Sequence, residues 1–285
     1  MTYTVLKKQR EAVISDPIVV TGLSHEGRGI GKTAEGKTVF IEGALPQERV
    51  NFTTIKRRSR FDESKVHEVL LASPDRVVPA CPHADICGGC SLQHMDTQSQ
   101  VAHKQSMVLE QLQHFGGLVP EEIAAPCVGP VWGYRRKARL GVKFVPKKGG
   151  ILVGFREKQG HLLADLSMCA VLAPVIGEQF ALLKALIASL SIHAAIPQLE
   201  VAVGDQSAAL VFRHLSPASP ADLDALKTFG VTHNIHIYLQ PGGMDSTHRI
   251  WPMQGPERLS YTLPDFDVEF LFHPQDFIQV NGLVN

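Results

Sequence analysis

Cys81-Pro-His-Ala-Asp-Ile-Cys87-Gly-Gly-Cys90 places three thiols within ten residues, and Cys169 adds a fourth from far along the chain. Thiolate sulfur is a soft ligand for iron–sulfur clusters and for zinc, so four of them could complete either a cubane cluster or a tetrahedral zinc site. Zinc ribbons usually present two C-x2-C pairs. A C-x5-C-x2-C spacing with a remote fourth cysteine is more typical of a [4Fe–4S] cluster. Gly88 and Gly89 leave the backbone free to wrap closely around such a centre. His83 could compete as a ligand, but its plain reading is an exposed side chain beside the loop. No second redox motif accompanies the cysteines, which favours a structural site over electron transfer. The fifth cysteine, Cys127 in AAPCVGP, reads as a small buried residue.

Charge is the next signal. The 28 basic and 28 acidic residues cancel, so overall charge selects no partner. Their distribution does. Val131 to Gly150 holds Arg135, Arg136, Lys137, Arg139, Lys143, Lys147 and Lys148 without one carboxylate, and Lys56-Arg57-Arg58-Ser59-Arg60 forms a second block. Trp132 and Tyr134 precede the first run. Aromatics beside cations suit stacking on unpaired bases and pairing with phosphates. A solvated edge strand would need fewer charges than this for protection. Lys56, Arg57, Arg58, Arg60, Trp132, Tyr134, Arg135, Arg136, Lys137 and Arg139 are therefore the candidate RNA contacts. No apolar run approaches the roughly 20 residues that span a bilayer, and the N-terminus has no signal-like apolar core. The expectation is a cytoplasmic protein with no membrane partner.

These groups must be positioned by elements the pattern also predicts. Short β-like runs at Ile18–Leu23, Thr38–Ile41, Arg49–Lys56 and Lys65–Leu71, punctuated by glycines, fit a small five-stranded barrel. Thr97-x-x-Gln100 reads as a capping box opening a helix over 97–115, closed by Gly116-Gly117. Its apolar face calls for a packing partner. Lys137–Phe144 with Ile151–Arg156, and Leu199–Val203 with Ala208–Phe212, read as hairpins. Glu178–Leu190 and a segment opening at Ser219-Pro220 read as helices. Ile235–Leu239 and Val268–Phe272 read as further strands.

In this order the features resemble the N-terminal two-thirds of a 23S ribosomal RNA (uracil-5-)-methyltransferase. Leu23-Ser-His-Glu-Gly-Arg-Gly-Ile30 with Phe40-Ile-Glu-Gly-Ala-Leu-Pro46 is similar to a TRAM domain, an OB-type RNA-binding module. Cys81, Cys87, Cys90 and Cys169 resemble the family's [4Fe–4S] ligands. Gly133-Tyr-Arg-Arg-Lys-Ala-Arg139 resembles its central strand, and Phe277-Ile-Gln-Val-Asn281 the motif that opens its methyltransferase domain. The resemblance implies a multi-domain fold: a flexible N-terminus over 1–15, an OB-type β-barrel over 16–75, and an α+β iron–sulfur domain over 76–275. The helix over 97–115 would pack on the catalytic domain, and 276–285 would begin a Rossmann-like methyltransferase domain otherwise absent from this chain.

The resemblance further implies S-adenosylmethionine-dependent formation of 5-methyluridine in 23S ribosomal RNA by a monomer. A cysteine thiolate would attack C6 of the extruded uracil and make C5 nucleophilic toward the methyl group of the sulfonium; a carboxylate, the family's glutamate base, would then remove the C5 proton, and elimination would break the C6–S bond and release the thiol. Phe277 would stack on the base and Gln279 would contact S-adenosylmethionine. The chain departs from the family in showing no S-adenosylmethionine loop, nucleophilic cysteine or glutamate base before Asn285, so on this reading it is inactive alone. Two rival readings stand beside it: a non-catalytic RNA-binding module with a structural iron–sulfur cluster, and an iron–sulfur redox protein.

Overall fold

The computed structural model describes residues 13–285. They divide into two compact units: residues up to Ala80 with Cys90–Ala125, and Cys81–Gly89 with Pro126–Asn285. The division departs from the expected boundaries. The helix groups with the barrel, and 276–285 groups with the second unit. Of the N-terminus expected to be flexible, residues 1–12 lie outside the described residues. Ser15 is fastened: its N–H donates to the Phe52 carbonyl and its hydroxyl accepts from the Phe52 N–H, both at 2.9 Å.

In the first unit, β1 (Ile18–Leu23), β2 (Gly29–Lys32), β3 (Thr38–Glu42), β4 (Arg49–Arg57) and β5 (Phe61–Leu71) close a barrel in the order β1-β2-β3-β5-β4. Alternation drives it, with Val39 and Ile41 of β3 and Val50 and Phe52 of β4 buried inside. Strand β2 falls where the glycines read as punctuation. A Cβ on Gly29 would lie 2.8–2.9 Å from Ala44 and Val20, so glycine lets this strand press onto the core. Helix α1 (Thr97–Gly116) is capped by Asp96, not Thr97: its carboxylate accepts from the N–H groups of Gln98 at 2.8 Å and Ser99 at 3.2 Å. Gly117 ends it in the left-handed conformation at φ 62°. The helix buries no residue; Val108, Leu112 and Phe115 of its apolar stripe are exposed.

The second unit is a six-stranded mixed sheet. In chain order it uses β6 (Lys137–Val145), β7 (Gly150–Gly154), β8 (Gln198–Val203), β9 (Ala208–Arg213), β10 (Ile235–Gln240) and β11 (His248–Trp251), arranged β11-β10-β9-β8-β6-β7. Only β9 and β10 run parallel, joined by a crossover helix over Pro220–His233. Ala208, Leu210 and Phe212 face the main core with the helix Phe180–Ser189; Ala209 and Val211 face the other side. There Leu259 and Phe272, of the hairpin β12 (Leu259–Leu263) and β13 (Val268–Phe272), cover them. Burial on both faces is why β9 reads as a continuous apolar run.

Ser219 and Asp222 form a capping box at the crossover helix. Asp222 is 4% exposed and accepts from the Ser191 N–H at 2.7 Å, the Ser191 hydroxyl at 2.5 Å and the Ser219 N–H at 2.9 Å. Burial opposes its charge, but the donors of Ser191 and Ser219 outweigh it and hold the carboxyl at about 2, below the ordinary 3.8. The stability this contributes is complete above pH 3.8 and disappears as pH falls through about 2. Melts followed by circular dichroism between those limits should show Asp222→Asn losing the wild-type dependence, with a cost at neutral pH of about 1–2 kcal/mol.

Candidate substrate-positioning segment and cysteine site

Beyond β13 the chain runs irregularly along the second unit. The Asp276 carboxylate accepts the His273 N–H at 2.7 Å and pairs with Arg258 at 3.2 Å, fixing a turn. Ile278, 5% exposed, then enters the core formed by Ala202, Val211 and Tyr238. On either side of this anchor Phe277 stands 84% exposed and Gln279 is exposed. A bare ring on a pinned backbone is a stacking surface for an unpaired base, and an exposed amide offers both donor and acceptor.

The basic stretch before β6 faces this segment. The Arg136 N–H donates to the Val280 carbonyl at 3.0 Å, and Arg135 bridges both Leu172 and Asn281. The Arg136 guanidinium pairs with Asp205 at 2.9 Å and lies against Gly282, where a Cβ would come within 2.5 Å of it. The Lys137 ammonium donates to the Pro274 carbonyl and lies 3.9 Å from Glu200. Burial pulls its pKa below the ordinary lysine value, against the opposing pull of Glu200 and Asp276. Arg139 pairs with Glu200 at 3.3 Å and keeps 68% of its side chain exposed. Trp132 is exposed; Tyr134 and Arg135 are half-buried.

In the first unit Lys56, Arg57, Arg58 and Arg60 are all exposed where β4 turns toward β5. Arg58 is partly spent on Glu63 at 3.2 Å. Phe40 and Phe61 meet edge to face at 5.3 Å on the neighbouring strands, an aromatic pair sequence reasoning passed over. Its signal was the placement of Phe61 directly after Arg60.

Cys81 is half-buried, and Cys87 is buried in the main core of the second unit with Cys169 partly buried against it. His83 does more than sit exposed: its Nε2 accepts the Ser167 N–H at 3.0 Å, tying the Cys81–Cys87 turn to the stretch before Cys169. The glycines act by close approach, since neither takes a positive φ. The Gly88 N–H donates to the Arg156 carbonyl at 2.9 Å, and Gly89 lies against Phe155. The donor chemistry suits a thiophilic metal, yet among the described residues no three or more His, Cys, Asp or Glu side chains are grouped to hold an ion. Cys87 Sγ instead accepts the Gly89 N–H at 3.4 Å. Cys127 departs from its reading as buried: it is exposed, in a stretch without regular structure. Among the described residues no helix is long and apolar enough to cross a membrane.

The fold is similar to one seen in a solved structure. The crystal structure of the Pyrococcus abyssi tRNA (uracil-54, C5)-methyltransferase in complex with S-adenosyl-L-homocysteine matches it with a TM-score of 0.64 at 20% identity, covering 94% of this chain and 62% of that one. The TRAM domain family matches residues 17–61. The chain is homologous to the 23S rRNA (uracil(1939)-C(5))-methyltransferases RlmD: 51% identical over 95% of its length to that of Alcanivorax borkumensis, and 53% over 93% to that of Nitrosococcus oceani. It spans about 60% of the length of these curated relatives.

The likeness overturns the expectation of a chain from which the methyltransferase fold is absent. Nearly all of the chain aligns with a methyltransferase structure. The expectation placed that fold in a Rossmann-like domain beginning at 276–285 and marked by a glycine-rich loop, whereas the match runs over 94% of this chain. Homology over most of the chain likewise gives no support to the expectation of inactivity.

Proposed function

We propose that this chain serves S-adenosylmethionine-dependent methylation of uridine at C5 in 23S ribosomal RNA. The observation that carries the reading is Phe277 and Gln279, held exposed on either side of the buried Ile278 in a chain half identical to enzymes named for that reaction. Phe277 stacks on the extruded uracil and Gln279 contacts S-adenosylmethionine. Lys56, Arg57, Arg60, Trp132 and Arg139 meet the RNA, with Arg58, Tyr134 and Arg135 behind them. What the described residues supply is grip and orientation: phosphates are neutralised, the base is taken out of its stack, and the ring is held face-on.

Cys81, Cys87, Cys90 and Cys169 hold a [4Fe–4S] cluster in this reading, Cys90 on its sequence spacing alone. When bound, the cluster supplies a covalent cross-link among chain segments and no redox step. The support is four sulfurs of suitable chemistry, three of them in one unit, with the Cys81–Cys87 turn already tied to the Cys169 stretch by His83.

Protein purified from the cells that make it should transfer label from methyl-labelled S-adenosylmethionine to 23S rRNA, recovered as 5-methyluridine. Phe277→Ala should lower kcat/KM for RNA by about fivefold to 150-fold, the roughly 1–3 kcal/mol of a lost base stack. Label in any other nucleoside, or full activity of the variant, would contradict the reading.

A further inference from the structure

We propose that Lys137 and Arg136 are positioning residues that clamp the segment bearing Phe277 and Gln279, the first through the Pro274 carbonyl and the second through Val280 and Gly282. The inference rests on the proposed function in assigning a use to that segment, but the clamp itself is a matter of geometry.

The two fastenings flank the functional pair. On one side the Lys137 ammonium donates to the carbonyl of Pro274, a buried residue. On the other the Arg136 N–H holds the Val280 carbonyl at 3.0 Å while its guanidinium, braced by Asp205 at 2.9 Å, lies against Gly282. Ile278 is wedged into the core between them. Five residues separate the two backbone carbonyls, so the backbone at 277 and 279 has little freedom once both ends and the centre are held.

A simple counter-ion role for Lys137 fits the distances poorly. Arg139 stands at 3.3 Å from Glu200, and Lys137 at 3.9 Å. The Lys137 side chain is 18% exposed, and the cost of burying its charge shows in a pKa below that of ordinary lysine. A lysine less protonated when folded than when unfolded gives stability that rises with pH through that window, so at neutral pH the buried charge is a net cost. A residue kept at such a cost, with its ammonium on a main-chain carbonyl, is placed for what it holds. Gly282 fits the same account: a Cβ there would come within 2.5 Å of the guanidinium, which would have to shift from its place.

The test is hydrogen exchange read by mass spectrometry on the full chain, with melting temperature alongside. In Lys137→Met, exchange over 273–282 should rise about tenfold, while peptides from β8 and β9 and the melting temperature stay at wild-type values or above. Lys137→Arg, which keeps a cation able to reach the carbonyl, should restore most of the protection. If Lys137→Met does not fold, Lys137→Gln gives the same reading with a polar chain. Unchanged protection over 273–282 in a folded neutral variant would overturn the clamp, as would loss spread evenly over the sheet. A second arm separates this from the functional reading: anisotropy with a labelled RNA hairpin carrying a loop uridine. Wild-type protein that fails to bind it overturns the functional assignment, and the exchange result still decides the clamp. Weaker hairpin binding by Lys137→Met, together with localised exchange and rescue by Lys137→Arg, supports both.

Discussion

Cys81→Ser and Cys169→Ser should each strip anaerobically purified protein of iron, sulfide and brown colour, and lower the melting temperature of the second unit. Both residues sit at the ends of the connection that His83 makes through Ser167, where the Cys81–Cys87 turn meets the core. Metal binding of this kind is folding free energy, because the unfolded chain has no preformed site. Each 1 kcal/mol lost should move the midpoint of a body this size by about 2–4 °C, so a shift of several degrees is expected. Cys127→Ser, on an exposed stretch, should change neither colour nor midpoint. Iron and sulfide counts with a visible absorption spectrum decide the matter. Zinc in place of iron, or a Cys81→Ser protein as brown and as stable as wild type, would remove the cluster from the account.

The second large effect is expected at the turn between β4 and β5. Lys56, Arg57 and Arg60 are exposed, and a triple change to glutamine should weaken RNA binding at low salt by at least about tenfold. It should also flatten the plot of log affinity against log salt. Each phosphate contact on a single strand contributes about 0.7 to that slope, so three should remove about 2. Arg58 makes an internal control. Its guanidinium is shared with Glu63 at 3.2 Å, and Arg58→Gln should shift the slope by less than any of the other three. Filter binding over a salt series reads both quantities. A triple variant with the wild-type slope would move the RNA surface elsewhere.

Much of this was legible because local pattern and tertiary demand agree. The β8–β9 hairpin announces itself by two apolar runs around Gly204-Asp205, and the crossover helix by Ser219-Pro220 with Asp222 three residues on from the cap. Where they disagree the residues mislead. Gly29 and Gly31 look like punctuation yet lie in a strand, where a Cβ would crowd Ala44 and Val20 at Gly29 and Ile18 at Gly31. Thr97-x-x-Gln100 imitates a capping box, but Asp96 takes the cap, and the Gln100 amide turns back to the carbonyls of Leu92 and Met95. Strands β11 and β12 are short and polar in part, and only the sheet edge and the hairpin partner define them.

The candidate site was approached in sequence through its exposed pair and not through its supports. Phe277 and Gln279 were reached through a family-like motif, whereas the contacts that hold them come from residues far apart in sequence. Seven cations without a carboxylate look like an uncompensated face. Glu200 and Asp205, which meet Lys137, Arg139 and Arg136, lie on and just beyond β8 and cannot be seen from a local window. Charge compensation across a sheet is a tertiary property, and so a run of like charges in sequence overstates the charge a partner would meet.

The direct test of uridine methylation is nucleoside analysis of 23S ribosomal RNA from cells deleted for the gene that encodes this chain. The account predicts that one 5-methyluridine disappears and returns when the gene is restored, but not when it is restored with Phe277→Ala. An unchanged 5-methyluridine content in the deleted cells would contradict it.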